Sequence, residues 1–262
     1  MREFLDGKQL FLLDMDGTLY IGDRLIPGAG AFLVRLRETG RRYLFLTNNS
    51  SKGTDAYIQK LADMGINASP GDFLTSADVT RDYLREHYDE KAIYVFGTES
   101  LKAHFRSGGL TVCDDLRSDI SALVIGFDTE LTFRKIEEAC ILLNRGVDYI
   151  ATHPDMVCPT SYGSVPDCGA LAAMLESATG RRPLALGKPK PEIVYAALKN
   201  TGVPPESAVL IGDRLYTDVA CGNNAGISTV LVLSGETTSE AADKSSIKPT
   251  VIANSVADLP VF

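Results

Sequence analysis

No apolar run in the sequence approaches the roughly 20 residues needed to span a bilayer. Its first apolar stretch, Leu10–Leu13, meets an aspartate at once, too soon for a signal peptide. A membrane partner and a secretory leader are therefore not expected. There is no CxxC pair either. The five cysteines (Cys113, Cys140, Cys158, Cys168 and Cys221) are odd in number and scattered, which fits free thiols in a reducing cytoplasm. Cys158 and Cys168 lack the second pair that a zinc-like set requires. Positive charge is not in surplus: the formal net charge is -8, so nothing general draws the chain to nucleic acid. An acidic protein that handles phosphate must attract it locally, with a metal ion or a placed lysine. Repetitive and disordered tracts are absent. With 262 residues, 45% of them apolar, the chain has material for one large globular domain or two modest ones.

What the sequence does contain is a repeated alternation of strand and helix. Residues 9–13 read as a buried strand ending at Asp14, and residues 29–39 as a helix with Gly40 just past its end. Residues 42–46 form a second strand ending at Thr47, and residues 54–64 a helix closed by Gly65. This order predicts a parallel sheet covered by helices. The C-terminal third repeats it, with helices at 192–199 and 218–225 and strands at 207–211, 228–233 and 250–253. The middle has strands of its own at 92–96, 122–127 and 148–151, alternating with helices at 100–106 and 132–145. The expected fold is α/β: a doubly wound, Rossmann-like parallel-sheet core built from residues 1–79 and 182–262, with a second α/β domain, residues 80–181, inserted into it.

The first strand runs into Asp14-Met15-Asp16-Gly17-Thr18, where two carboxylates lie two residues apart. Ligand sites of open α/β sheets form beyond the carboxyl ends of strands. Gly17 lets the backbone turn sharply and approach a ligand. A carboxylate can attack phosphorus if a cation offsets the repulsion between two anions. The second can give a proton to the leaving oxygen and later take one from water. A plain solvated turn uses the same residue types. A calcium loop of EF-hand type does not fit, because its twelfth position would be Leu25.

Three more signals fall at strand ends or sheet-edge turns. Thr47-Asn48-Asn49-Ser50-Ser51 offers hydroxyls, amides and backbone N–H groups that can cradle phosphate oxygens, or simply cap the next helix. Gly187-Lys188-Pro189-Lys190-Pro191 is stiffened by its prolines, which suits a fixed positive charge at Lys188; a surface loop with two solvated lysines is the plainer alternative. Gly212-Asp213 and Asp218 form a second acidic loop. Asp213 with Asp14 supplies the one or two carboxylates that Mg²⁺ prefers, while Asp218 is better placed to start the next helix and to orient a metal-bound water or Lys188; a plain helix N-terminal residue is the alternative.

In this order the four motifs resemble those of the haloacid dehalogenase superfamily of phosphatases: DxDGT at Asp14, Thr47, Lys188, then Gly212-Asp213 with Asp218. Asp16 points to phosphatases rather than dehalogenases. Nearly the whole chain is similar to the NagD-like, para-nitrophenyl-phosphatase-like branch, which carries a large α/β cap between the Thr and Lys motifs. The cap stretch of that branch is matched by Thr152-His153-Pro154-Asp155, Pro159-Thr160-Ser161-Tyr162-Gly163 and Pro166-Asp167-Cys168-Gly169. His153 replaces a usual Asn, and Asp167 a usual Gly.

The resemblance implies Mg²⁺ held by Asp14, the Asp16 carbonyl and Asp213, and an aspartyl phosphate on Asp14. It implies Asp16 as acid and base, Thr47, Asn48 and Lys188 on the phosphate, and Gly17, Asn49 and Asp218 in support. Substrate choice is expected from the cap, among His153, Asp155, Tyr162 and Asp167, on an irregular loop. The expected partner is a small phosphorylated metabolite, a sugar phosphate, a nucleoside monophosphate or a similar phosphomonoester; a homo-oligomer stays open. A phosphoryl mutase of the same superfamily and a silent phosphometabolite-binding protein are the alternatives. A receiver-type domain is about half this length.

Overall fold

A computed structural model describes residues 2–160 and 162–260. The chain divides into two compact units. One comprises residues 1–47, 54–74 and 188–262, and the other residues 48–53 and 75–187.

The first unit is built on a six-stranded sheet in the order Val251–Ala253, Ser228–Val232, Ala208–Gly212, Leu10–Leu13, Arg42–Thr47, Phe73–Thr75. The four strand pairs from Val251–Ala253 to Arg42–Thr47 are parallel. Their sequences are continuous apolar runs because both faces of the sheet are covered. All four residues of Leu10–Leu13 are fully buried, each worth roughly 1.5–3 kcal/mol when taken from water. The helix Ala29–Glu38 turns Ala29, Phe32, Leu33 and Leu36 inward, the spacing of a single helical face. Those residues join Phe11, Leu13, Phe45 and Ile211 in one core. The register pairs Leu13 with both Ile211 and Phe45, so the three central strands finish within two residues of one another, Ala208–Gly212 running one residue and Arg42–Thr47 two residues past that level. Asp14 leaves the sheet tied to it, its N–H donating to the Ile211 carbonyl at 2.9 Å.

The second unit has a five-stranded sheet of its own, in the order Leu184–Ala185, Asp148–Ala151, Ile120–Ile125, Ala92–Phe96, Thr111–Cys113, all parallel. Its core gathers Phe96, Leu123, Ile125, Leu142 and Leu175. The expected fold class, a doubly wound α/β core with an inserted α/β unit, is what the chain forms.

Two stretches differ from expectation. Residues 152–169 were expected to be irregular. They hold an antiparallel hairpin, Val157–Thr160 with Gly163–Pro166, and then the start of the helix Cys168–Thr179, which Asp167 caps by accepting from the Cys168 N–H at 2.6 Å. Pairing across the hairpin satisfies the backbone of a segment whose prolines and glycine had suggested a loop. Ser161, in the expected cap motif, lies outside the described residues. The expected helix over 218–225 is a wide turn of π type, Leu215–Val219, followed by the helix Ala220–Asn224. All five cysteines are unbridged. Among the described residues, no helix is long and apolar enough to cross a membrane.

Candidate active site

The acidic turn after Leu10–Leu13 is shaped by Gly17, whose φ of 81° lies in the left-handed region that side chains disfavour. The Gly17 N–H donates to the Tyr20 carbonyl at 2.8 Å, closing the turn. The second acidic loop leaves the neighbouring strand Ala208–Gly212 at the same sheet edge. Asp14, Asp213 and Asp218 each bring a carboxylate oxygen within 4.8 Å of the others, and among the described residues no other trio of acids, histidines or cysteines gathers this way.

Lys188 is the counter-charge. Its side chain is 3% exposed, and its ammonium donates to Asp14 Oδ1 at 2.6 Å and Asp218 Oδ1 at 2.7 Å. Asp218 therefore sits against the lysine while also lying in the first turn of the helical segment Leu215–Val219. The Arg214 N–H donates to its other oxygen at 3.1 Å. Lys190, two residues on, is exposed.

The electrostatics follow from burial and crowding. Burial, opposed by Lys188 and reinforced by Asp218 and Asp213, pushes the Asp14 carboxyl well above the usual range. Asp213 is pushed up to about 6 by burial and by Asp218. Burial alone would lower the Lys188 ammonium, but Asp14 and Asp218 hold it above its ordinary value, so it stays charged. Asp16 keeps an accessible edge; crowding by protein raises its carboxyl against the pull of Lys60 and Arg214.

These groups fit a divalent cation. Three carboxylates face a single ammonium, and the buried Asp213 Oδ1 has no hydrogen-bond donor. Oxygen-rich sites with this surplus of negative charge suit hard cations. Glycines hold the Asp213 carboxylate closely. A Cβ at Gly17 would lie 2.3 Å from Asp213 Oδ2, and one at Gly235 only 2.0 Å from it.

Four residues around the acids, Ser234, Glu236, Arg214 and Lys60, were not singled out in the sequence. The Glu236 N–H donates to Asp213 Oδ2 at 2.7 Å, and Ser234 Oγ donates to the Gly17 carbonyl at 2.7 Å. Arg214 forms an ion pair with Glu236 at 2.8 Å. Ser234 and Glu236 follow the strand Ser228–Val232, and the rule that chemistry gathers at strand ends would have found them. Lys60 lies 4.1 Å over the Tyr20 ring, with no sequence signal to separate it from any helix-surface lysine.

The remaining expected residues are placed as follows. Thr47 is buried at the end of its strand. Asn48 and Asn49 follow it in the second unit, where Asn48 Nδ2 donates to both Asp155 oxygens at 3.2 and 3.1 Å, and Asn49 Oδ1 accepts from the Ser51 N–H and hydroxyl. His153 is wholly buried, Asp167 is a buried helix cap, and Tyr162 is 82% exposed on the hairpin.

Residues 11–111 match a family model for haloacid dehalogenase-like hydrolases, and residues 185–259 a second, HAD-hydrolase-like model. An acid sugar phosphatase from Staphylococcus haemolyticus is 33% identical over 240 residues, covering 92% of this chain and 90% of its own. The crystal structure of 4-nitrophenylphosphatase from Thermotoga maritima is 42% identical, with a TM-score of 0.92 and 97% of each chain covered. A glycerol phosphate phosphatase from Mycobacterium tuberculosis, solved in complex with magnesium, is 28% identical with a TM-score of 0.91, covering 97% of this chain and 76% of that one. The resemblance to the NagD-like, para-nitrophenyl-phosphatase-like branch is borne out. The chain belongs to the haloacid dehalogenase-like hydrolase family, and within it to the phosphatases.

Proposed function

We propose that this protein is a magnesium-dependent phosphatase of small phosphomonoesters that works through an aspartyl phosphate on Asp14. The observation that carries the reading is the buried Lys188 ammonium between Asp14 and Asp218, with Asp213 beside them at the ends of two adjacent parallel strands. Asp14 and Asp213, with the Asp16 carbonyl, would hold Mg²⁺, which when bound supplies positive charge that lessens the repulsion between a carboxylate and a phosphate.

Asp14 attacks phosphorus as the ester P–O bond breaks, and Asp16 gives the departing alkoxide its proton. The raised proton affinity of Asp16 suits a donor at neutral pH. A water then attacks the aspartyl phosphate, Asp16 takes its proton, and inorganic phosphate leaves. Lys188 stays charged throughout and offsets the negative charge on the transferring group. Thr47 and the backbone N–H of Asn48 are proposed to bind its oxygens, with Gly17, Asn49 and Asp218 in support.

Residues 1–79 and 182–262 are read as the catalytic core and residues 80–181 as a cap that selects the substrate. Because His153 and Asp167 are buried, direct substrate contact in the cap is assigned to Asp155 and Tyr162. Small phosphomonoesters, sugar phosphates and nucleoside monophosphates among them, are the substrate class, and the names of the relatives support the sugar phosphates. Five unbridged thiols support a cytoplasmic site of action. The test is phosphate release from a panel of phosphorylated metabolites, with and without a chelator. Undiminished release after exhaustive chelation would reject the metal; an isomeric product without free phosphate would favour the mutase.

A further inference from the structure

The turn after Thr47 is held by a buried hydrogen-bond chain whose side chains the chemistry above does not use. Ser50, Thr152 and Cys168 are all buried, and all lie in the second unit. The Phe127 N–H donates to Ser50 Oγ at 3.1 Å, and Ser50 Oγ meets Thr152 Oγ1 at 3.0 Å. Thr152 Oγ1 donates to Cys168 Sγ at 3.8 Å, and the thiol donates to the Ile125 carbonyl at 3.5 Å. Each of these three side chains has one hydrogen to give, so the order is fixed. Thr152 gives its hydrogen to the sulfur, and Ser50 therefore gives its own to Thr152. Burial pushes the Cys168 thiol up to about 12, so it keeps its hydrogen at neutral pH.

The chain begins and ends on main chain. Ile125 closes the strand Ile120–Ile125, and Phe127 stands just beyond it. Thr152 follows the neighbouring strand Asp148–Ala151, and its N–H donates to the Ile125 carbonyl at 2.9 Å. Ser50 is thus seated across the carboxyl ends of two adjacent parallel strands, the place where open α/β sheets hold their ligands. Gly126 makes the room, since a Cβ there would lie 2.5 Å from Leu101 Cδ2 and 2.9 Å from Ser50 Oγ. The main chain is tied on either side of Ser50 as well. Ser76 Oγ donates to the Asn48 carbonyl at 2.5 Å, and Thr98 Oγ1 donates to the Ser51 carbonyl at 3.0 Å.

We propose that Ser50 is a positioning residue: through Thr152 and Cys168, its hydroxyl fixes the main chain of residues 48–51 for phosphate binding. The inference rests on the reading of the Thr47-Asn48-Asn49 turn as the phosphate cradle. Ser50 acts through the backbone it holds and not by touching the substrate. Backbone groups held in place before the substrate arrives need no reorganisation during the reaction. Alanine at this position would leave the buried Phe127 N–H without its acceptor and the Thr152 hydroxyl without its donor.

The probe is inorganic phosphate, which shares with a substrate only the phosphoryl oxygens. With magnesium present, Ser50→Ala should raise the Kd for phosphate in calorimetry and KM for para-nitrophenyl phosphate together, by roughly three- to tenfold, with kcat less affected. Thr152→Val, close in shape, removes the acceptor one step back from the turn and should give the same paired rise, smaller in size. Thr152→Ser keeps the hydroxyl and should stay near wild type. A folded Ser50→Ala protein with wild-type Kd and KM overturns the proposal, as does a rise in KM with the phosphate Kd unchanged. If Ser50→Ala does not fold, Thr152→Val decides on the same two constants, and unchanged values overturn the proposal. A wild-type protein that releases no phosphate from any ester refutes the phosphatase reading instead, and the phosphate Kd of the variants still judges the role of Ser50.

Discussion

Replacing Lys188 with methionine keeps the apolar stem and volume of the side chain and removes only its charge. In the native protein that charge lies 2.6 Å from Asp14 Oδ1 and 2.7 Å from Asp218 Oδ1. At an effective dielectric constant of 20, each pair is worth about 6 kcal/mol of Coulomb attraction before desolvation is charged against it. The net effect is smaller, and breaking a buried pair typically costs about 3–5 kcal/mol because a charge is left uncompensated. Here three acids within 4.8 Å of one another lose their common ammonium. Lys188→Met should therefore destabilise the metal-free protein by about 3–5 kcal/mol in chemical denaturation. Added magnesium should narrow the gap to wild type, since a bound cation supplies positive charge to the same acids. Turnover of para-nitrophenyl phosphate should fall by about 10²-fold or more, or about 2.7 kcal/mol in the barrier. Lys190→Ala is the control: Lys190 is exposed, and its loss should stay within about 0.5 kcal/mol of wild type in stability. A Lys188→Met protein as stable as wild type without metal, or a Lys190→Ala protein equally impaired, would refute the electrostatic argument.

Asp14→Asn should yield no acid-quenched phosphoenzyme, whereas Asp16→Asn should slow alkyl phosphates far more than para-nitrophenyl phosphate, whose leaving group needs little proton donation; equal losses on every substrate would end this division of roles. Gly235→Ala forces a Cβ to within 2.0 Å of Asp213 Oδ2. The carboxylate must move, and the magnesium concentration for half-maximal activity should rise about tenfold; an unchanged magnesium titration would show that Asp213 is not a ligand. A pH effect is expected in the second unit. Burial works against the Asp78 charge, but hydrogen bonds from His104 and Thr75 hold its carboxyl at about 2. Its folded value lies below the unfolded one, so its contribution, about 2 kcal/mol, is complete above about pH 4 and is lost as the pH falls toward 2. Asp78→Asn should lower stability at neutral pH and converge on wild type near pH 2; a constant difference across that window would contradict the assignment.

Much of the site was legible because its signals are local. Apolar runs of four to six residues ending in Asp14, Thr47 and Gly212-Asp213 announce parallel strands whose carboxyl ends carry chemistry. Turn chemistry made Gly17 readable in the same way. Ser234 and Glu236 were not singled out although they follow a strand end, because Glu236 acts on Asp213 through its backbone N–H, which any residue supplies, and a lone serine hydroxyl is an ordinary loop residue until its partner, the Gly17 carbonyl 217 positions away, is known. The segment around Tyr162 read as a loop from its prolines and glycine, although cross-strand pairing makes it a hairpin.

By itself, the sequence determined the strand–helix alternation, the acidic turns at the strand ends and the lysine between prolines, all properties of residues within a few positions of one another. Only the tertiary structure showed that Asp218, in the first turn of Leu215–Val219, is also the partner of Lys188, which lies 30 positions away. It alone placed His153 in the interior between Asp155 and Asp167. Contacts of this kind are set by sheet register and side-chain packing across distant segments, and no local pattern of residues encodes the distance between them.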